Sequence, residues 1–413
     1  MDKRVAQPLA GILLLTYSSV VDDPRVLPVA LALAPLERPV TVIGLALRSG
    51  LADRSRRDDI DIRFVPLFPS DGLGKGLIAL WRWFRGNPSP VETTQRQTTN
   101  KLTALFFTLW ALRIGLGLKL AAVHSHGHSP ILAGWLLARW HRVPLVYDSC
   151  ESVPDLFEQF PRTMMNRLTC WLEGALMPRA DAITTVGQRL SERLKEHGAR
   201  QVVLVGNWKD PAEYLVSADA VNTLRQRLQL PPHRLVIAFF GNLDSKTYDL
   251  PALIEAVEAS REVVLLVSGQ GEYRAAVHEA ALCCPNIIWL DWIPMADLPV
   301  YINLADAIYC CLNMTFTQTY YVVPNKLFEA FAAGKVVIAR RGVGEMGMIL
   351  EQTKAGLLVD QAAASDLQQA FCQLKDASVL HSFQDRARTA RLTYNWGEAV
   401  LNLQALYRRI IRA

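Results

Sequence analysis

The chain contains no two cysteines at C-x-x-C spacing, although it carries seven: Cys150, Cys170, Cys283, Cys284, Cys310, Cys311 and Cys372. An odd count without framework spacing excludes a disulfide scaffold and reads as reduced, buried thiols of a cytoplasmic protein. A Walker loop is missing, Gly269-Gln270-Gly271 is too short for a dinucleotide fingerprint, and no nucleophilic Ser or Cys triad stands out. There is no secretory signal. The apolar run 11–15 follows Lys3 and Arg4 but is stopped by Thr16-Tyr17-Ser18-Ser19. No long uncharged run is present either. The best candidate, residues 102–122, holds Arg113 and Lys119, each of which costs roughly 2.5–3.5 kcal/mol near a bilayer centre, so it reads as a buried or interfacial helix. Acid is absent from residue 93 to residue 147. The net charge of +5 has no nucleic-acid module attached, so nucleic acid is not expected as a partner.

What is present is an ordinary globular composition, 51% hydrophobic and 20% charged over 413 residues, which suits two or three well-buried domains rather than disorder. The basic residues concentrate early. Residues 1–200 hold 25 Lys/Arg against 18 Asp/Glu, and the remainder is slightly acidic. Short apolar runs at 11–15, 40–44, 62–66, 120–124, 144–148 and 182–186 alternate with helical patterns such as 28–36 and 131–139. The alternation restarts at 235–241, 263–269, 287–290, 307–310 and 336–339, with helices such as 250–259, 272–281 and 324–333 between. Strands apolar throughout, interleaved with helices, indicate parallel sheets covered on both faces. The expectation is α/β: two Rossmann-like doubly wound domains, 1–205 and 206–390, with ligands at the carboxyl ends of the strands in the cleft between them. The seam is the turn-rich Gly206-Asn207-Trp208-Lys209-Asp210-Pro211. Residues 391–413 read as a terminal amphipathic helix.

The sharpest segment is 324–339, Pro-Asn-Lys-Leu-Phe-Glu-Ala-Phe-Ala-Ala-Gly-Lys-Val-Val-Ile-Ala. Proline opens a helix, Gly334 closes it and a buried strand follows. An early helix turn presents N–H groups and positive dipole character to an anion such as a diphosphate, and Glu329 offers a carboxylate to a ribose diol. This stretch resembles the donor-site helix of the retaining GT-B glycosyltransferases of family 4, group 1. The resemblance extends in order along nearly the whole chain. Asp23-Pro24-Arg25-Val26, Val123-His124-Ser125-His126, Pro144 to Glu151, Ala180 to Val186, Gly206-Asn207, Phe240-Gly241-Asn242-Leu243, Leu304-Ala305-Asp306 and Tyr394-Asn395-Trp396 all carry it.

The resemblance implies transfer of a sugar from a nucleoside-diphosphate sugar to a saccharide or lipid-linked acceptor, with retention and with no metal or other cofactor. By it, Glu329 binds the ribose and Lys246 contacts the diphosphate. Gly241, Asn242, Tyr321, Asn325 and Lys326 line the donor pocket, and the terminal helix crosses back to the N-terminal domain. On the acceptor side it points to His126, Asp148, Cys150 and Glu151, with His126 beside the acceptor or the sugar. The alternative for Lys246 is a loop lysine; His126 reads equally as a polar residue at a strand end, and Asp148 and Glu151 as a carboxylate pair or as turn and cap residues.

Three positions depart from the family pattern. Tyr321 stands where the first glutamate of E-x7-E belongs. Asn242 takes the place of an arginine after the turn glycine. Cys150 replaces a histidine, and a thiol cannot relay a proton as imidazole does at neutral pH. These losses keep open a catalytically silent subunit that binds a partner transferase, and a nucleotide-sugar epimerase of the same fold. Two segments, 74–86 (with Trp81, Arg82, Trp83 and Arg85) and 101–119 (with Trp110), read either as core-facing helices or as a peripheral contact with the inner face of a membrane.

Overall fold

The computed structural model describes residues 9–20, 23–46, 54–66, 101–158, 160 and 163–411. The segment 74–86 lies outside them. Two compact units divide the chain between Val205 and Gly206. The first comprises Met1–Val186, Leu190–Val205 and Val400–Ala413, the second Gly187–Arg189 and Gly206–Ala399.

The first unit is built on an eight-stranded sheet: β1 (Gly11–Thr16), β2 (Val40–Ala46), β3 (Arg54–Arg57), β4 (Ile60–Pro66), β5 (Leu120–His126), β6 (Leu145–Ser149), β7 (Ala182–Thr185) and β8 (Val202–Leu204). Their spatial order is β3-β4-β2-β1-β5-β6-β7-β8. All pairings are parallel except β3 with β4. That exception escaped the sequence reading. Asp58 and Asp59 both adopt positive φ, 48° and 65°, and form the two-residue turn that folds β3 back on β4. All four β3 residues, Arg54-Ser55-Arg56-Arg57, are exposed, so no apolar alternation marks the strand. Its charges suit an open edge. β1 is buried along its whole length, as expected of a central parallel strand.

The second unit holds a six-stranded, all-parallel sheet in the order β11-β10-β9-β12-β13-β14. Its strands are β9 (Leu235–Asn242), β10 (Val263–Gln270), β11 (Ile287–Trp289), β12 (Ala307–Tyr309), β13 (Val336–Arg340) and β14 (Gly356–Val359). β8, β14 and the helices Met164–Leu176, Ala218–Arg227, Leu298–Leu304, Gly344–Thr353, Ala364–Leu374 and Ala377–Thr393 had no counterpart in the sequence reading. The final helix, Trp396–Ile410, sends Leu403, Leu406 and Tyr407 into the core of the first unit. There Tyr407 Oη meets His124 Nδ1 at 2.8 Å and Gln404 donates to the Ala32 carbonyl.

The cysteines are free, but the expectation that they are all buried is corrected. Cys310 and Cys311 are buried, Cys283 and Cys372 are exposed, and the other three are half-buried. An apolar neighbourhood in sequence says nothing about which face of a helix a residue occupies. Cys283 ends the helix Arg274–Cys283, which buries only Val277.

Candidate functional site

Each sheet has a point where the strand order reverses, and such points are where open α/β sheets bind ligands, beyond the carboxyl ends of the strands. In the first sheet the reversal lies between β1 and β5. Thr16 pairs with His126, and His126 with Asp148, so the ends of β1, β5 and β6 fall in one row. In the second sheet β9 lies between β10 and β12, and its end carries Gly241 and Asn242.

A buried network occupies the first of these points. Asp148 is fully buried and receives a two-pronged contact from Arg25, Nε to Oδ2 at 2.8 Å and Nη2 to Oδ1 at 2.7 Å. Arg25 Nη1 also donates to the Val205 carbonyl, Thr184 donates to Asp148 Oδ1 at 2.6 Å, and His126 Nδ1 lies 2.6 Å from Asp148 Oδ2. Burial alone would push the Asp148 carboxyl up, but Arg25, and then His126, reverse this and hold it well below the ordinary range. Burial likewise opposes the charge on Arg25, and Asp148 overcomes it. Asp148 is therefore a permanent anion that anchors Arg25 and orients His126; its carboxylate is not available as an acid or base.

His126 points its other nitrogen toward Asp23, with Nε2 at 3.7 Å from Oδ2. Asp23 is itself held by Ser18 and accepts the backbone N–H groups of Arg25 and Val26, which begins the helix Val26–Leu33. Beside these groups lies a cavity of about 240 Å³, lined among others by Thr16, Asp23, His126, His128, Cys150 and Glu151.

His124, His126 and His128 alternate in sequence but do not share one side of a strand. β5 ends at His126, and Gly127, at φ +75°, turns the chain away. Enclosure lowers His128 to a pKa of about 4, and its ring meets Phe157 edge-on. His124 is buried against Tyr407 and also lowered to about 4 by burial. Only His126 combines a carboxylate partner with the cavity.

Burial pushes the Cys150 thiol up despite the nearby Arg25 charge, so it is protonated at neutral pH. His126, Asp148 and Cys150 offer ligand atoms within 4.8 Å of one another. As a metal set they fit poorly. Both Asp148 oxygens already accept bonds, a guanidinium sits on the carboxylate, and the thiol resists ionisation.

The second point is built differently. Gly241 adopts φ +129° and Gly271 φ +150°. A Cβ on Gly269 would lie 1.8 Å from the Gly241 carbonyl oxygen, so the ends of β9 and β10 approach as closely as they do only because position 269 lacks a side chain. Against this floor stands Lys326, whose ammonium would be 3.1 Å from a Cβ on Gly241. Lys326 belongs to the helix Asn325–Ala333, which Pro324 caps and Gly334 ends at φ +66°. The proline precedes the first helical residue rather than occupying it.

Lys326 is buried. Its Nζ donates to Tyr248 Oη at 3.1 Å and lies over the rings of Tyr248 and Phe239 at 4.3 and 4.6 Å. Burial lowers its pKa, an effect partly offset by Cys310 and Glu329. No carboxylate among the described residues lies within ion-pair distance of it. Glu329, one turn further along, is buried as well, and its charge helps to raise the pKa of Tyr214.

Of the residues expected to line a donor pocket, Gly241, Lys326 and Glu329 thus converge, with Asn325 at the helix start. Asn242 is exposed at the end of β9. Lys246 is exposed on a loop that Asp244 stiffens by accepting from the Lys246 N–H and the Thr247 hydroxyl, and that Glu272 and Asn313 tie down. Tyr321 is half-buried, edge-on to Tyr320. Arg25, Asp23, Tyr248 and Tyr214 were missed as site residues. Asp23 and Arg25 were visible as a motif, but the partner of Arg25 lies 123 positions away.

Residues 23–208 match the family model described as glycosyl transferase 4-like domain, and residues 234–376 that of glycosyl transferases group 1. The putative colanic acid biosynthesis glycosyl transferase WcaI of Escherichia coli K12 is 25% identical over 235 residues, 53% of this chain; the match spans 56% of that relative's length. Among solved structures, sucrose-phosphate synthase of Thermosynechococcus elongatus superposes with a TM-score of 0.72 at 16% identity, covering 98% of this chain and all of that one. HepE of Anabaena in complex with UDP and glucose gives 0.69 at 16%, covering 97% and 100%. WaaG, a glycosyltransferase involved in lipopolysaccharide biosynthesis, gives 0.67 at 12%, covering 97% and 99%. At these identities the structural likenesses establish the fold, two doubly wound α/β units of the GT-B class.

Proposed function

We propose, since the chain belongs to the group 1 GT-B glycosyltransferases, that it moves a sugar from a nucleoside-diphosphate sugar to a saccharide or lipid-linked acceptor with retention of configuration. The observation that carries this reading is Lys326, a buried cation without a carboxylate partner among the described residues, set against the glycine floor of β9 at the start of a helix. A diphosphate supplies the missing charge. As the sugar leaves, negative charge grows on that diphosphate, and Lys326, the first N–H groups of the helix and Lys246 stabilise it. No metal is required for this in the proposal. Glu329 takes the ribose hydroxyls. In the first unit His126, its Nδ1 side held by Asp148, presents Nε2 to the hydroxyls of sugar or acceptor in the cavity. The UDP and glucose held by HepE make a UDP-sugar the first donor to try, and the colanic acid relative favours an acceptor in surface polysaccharide assembly.

A second reading, a GT-B subunit that binds nucleotide weakly and supports another transferase, draws on Cys150. Its thiol is held protonated where the family pattern has histidine. Calorimetric titration with UDP-, GDP- and ADP-sugars, on wild type and Glu329→Ala, separates the two. A saturating donor at a hundred times its Kd stabilises the fold by about 2.7 kcal/mol. Binding of one nucleotide class that is lost in Glu329→Ala, followed by transfer to an acceptor, supports the enzyme. No binding at all favours the subunit.

A further inference from the structure

Among the described residues no helix is long and apolar enough to cross a membrane. Yet three adjacent helices of the first unit carry apolar side chains that the described residues leave uncovered. The helix Lys101–Gly115 buries Phe107, Thr108 and Ala111. On its other side Leu105, Leu109, Leu112 and Leu116 recur at i, i+4, i+7 and i+11, one stripe of the helix surface. Leu105 and Leu109 are 56% and 55% exposed. This helix packs against Ile131–His141, which exposes Leu136 and Trp140, and that helix packs in turn against Met164–Leu176, which exposes Met164, Leu168 and Trp171. Trp140 and Trp171 are 71% and 65% accessible.

The charges on this face are positive with one exception, Asp181. Residues 101–147 contain no Asp or Glu, and the single acid between 163 and 180, Glu173, is buried where Tyr147 donates to it. Arg113, Arg139, Arg142, Arg167 and Arg179 are all exposed. Three of them, Arg139, Arg142 and Arg179, line a cavity of about 660 Å³ beside Trp135 at the start of β6, where the one carboxylate, Asp181, already accepts the Leu145 N–H. Scattered apolar residues on a surface require no explanation. Three adjacent helices exposing Trp, Met and Leu among arginines alone do.

We propose that this face docks on an anionic lipid surface. Trp140, Trp171 and the leucine stripe enter the headgroup boundary, where amphipathic indole rings are favoured, and the arginine cavity receives a lipid phosphate. The excess of arginine over the single Asp181 decides for a bilayer over a second copy of the chain, because two such faces would oppose like charges. The proposal goes beyond sugar transfer and does not depend on it.

The test is sedimentation of the full chain with phosphatidylglycerol-containing vesicles, with phosphatidylcholine vesicles as reference. Wild type is expected to pellet with the anionic vesicles at low salt and to be released at high salt. Trp140→Glu/Trp171→Glu should stay in the supernatant while keeping the wild-type melting temperature. Arg139→Gln/Arg142→Gln/Arg179→Gln should weaken binding by roughly a hundredfold, since each cation near an anionic surface is worth a factor of about five. Wild type remaining in the supernatant overturns the proposal, as does wild-type binding by the tryptophan variant. A dimer in sedimentation velocity that these same substitutions dissociate also overturns it, by giving the face to a second copy. A failed donor titration leaves all of these outcomes intact.

Discussion

The two strand-order reversals of this chain stand at equivalent places in two similar sheets, and they treat buried charge in opposite ways. At the ends of β1, β5 and β6 the two buried charges are paired: Arg25 lies on Asp148, and Thr184 and His126 complete it. At the end of β9 a lysine is buried on two aromatic rings and a tyrosine hydroxyl. A satisfied ion pair in a protein interior holds a shape, and breaking it leaves a charge that water cannot reach. A buried cation whose hydrogen-bond and ring contacts are all neutral, with Glu329 offsetting its burial only in part, is under-stabilised as it stands, and an incoming anion restores what burial removed. The first reversal orients a side chain; the second, on the proposed function, takes up the diphosphate of a donor.

Removing one half of each arrangement tests this contrast. Arg25→Leu abandons the Asp148 charge in the core and should cost about 3–5 kcal/mol, read as a lower urea midpoint for the first unit. Equal stability would mean that the pair is better hydrated than its burial indicates. Lys326→Met should do the reverse. Stability holds or rises, because an unfavourable burial of charge is relieved, while donor affinity falls by about 10- to 100-fold, the value of a charged hydrogen bond of roughly 1.5–3 kcal/mol. Calorimetry beside thermal melts separates the two effects, and a variant that loses stability but binds donor normally would erase the distinction.

The reversals should also answer pH with different windows. Asp148 is depressed in the fold, so its stabilisation is fully present above its unfolded pKa of about 3.9 and is lost as pH falls through the lower folded value. Lys326 is depressed too. For a base this means that the fold binds the proton less tightly than the unfolded chain, so stability rises with pH between the folded value and about 10.4. Donor binding should weaken over that same range as the ammonium is lost. Denaturation midpoints measured from pH 3 to 10, with Lys326→Met as reference on the alkaline side, would reveal the two slopes. The smallest effect is expected from Thr184→Val, which deletes one hydroxyl from a carboxylate that keeps its other partners. It should cost about 1.5 kcal/mol in a melt, the low end for a hydrogen bond to a charged group, and leave donor affinity unchanged.

How much of this could be read from residues alone depended on the range of the interaction. The parallel strands announced themselves because a strand buried on both faces is apolar along its whole length. The helix Asn325–Ala333 did so because proline and glycine bracket it. β3 did not, since four exposed polar residues have no pattern to find, and the Asp58-Asp59 turn that makes it possible uses two left-handed residues without a glycine. Glu329 and Lys326 could be singled out because they share one helix with a recognisable motif. Arg25 could not be joined to Asp148, nor Lys326 to Tyr248, because nothing in a linear sequence brings together groups 123 or 78 positions apart. Residues 124, 126 and 128 alternate as in a strand, yet Gly127 turns the chain before His128.

Local chemistry, where each residue answers mainly to its neighbours in sequence, thus determined the two doubly wound units, the helix bracketed by Pro324 and Gly334 and the basic, acid-free stretch from residue 93 to residue 147. Tertiary structure alone decided that Asp148 is a locked anion, that His126 and not His124 or His128 joins the cavity to that carboxylate, that Lys326 is buried against aromatic rings, and that the leucines and tryptophans of three adjacent helices face outward. Burial and charge pairing are properties of what surrounds a side chain in space, and that is settled only when distant strands and helices have packed.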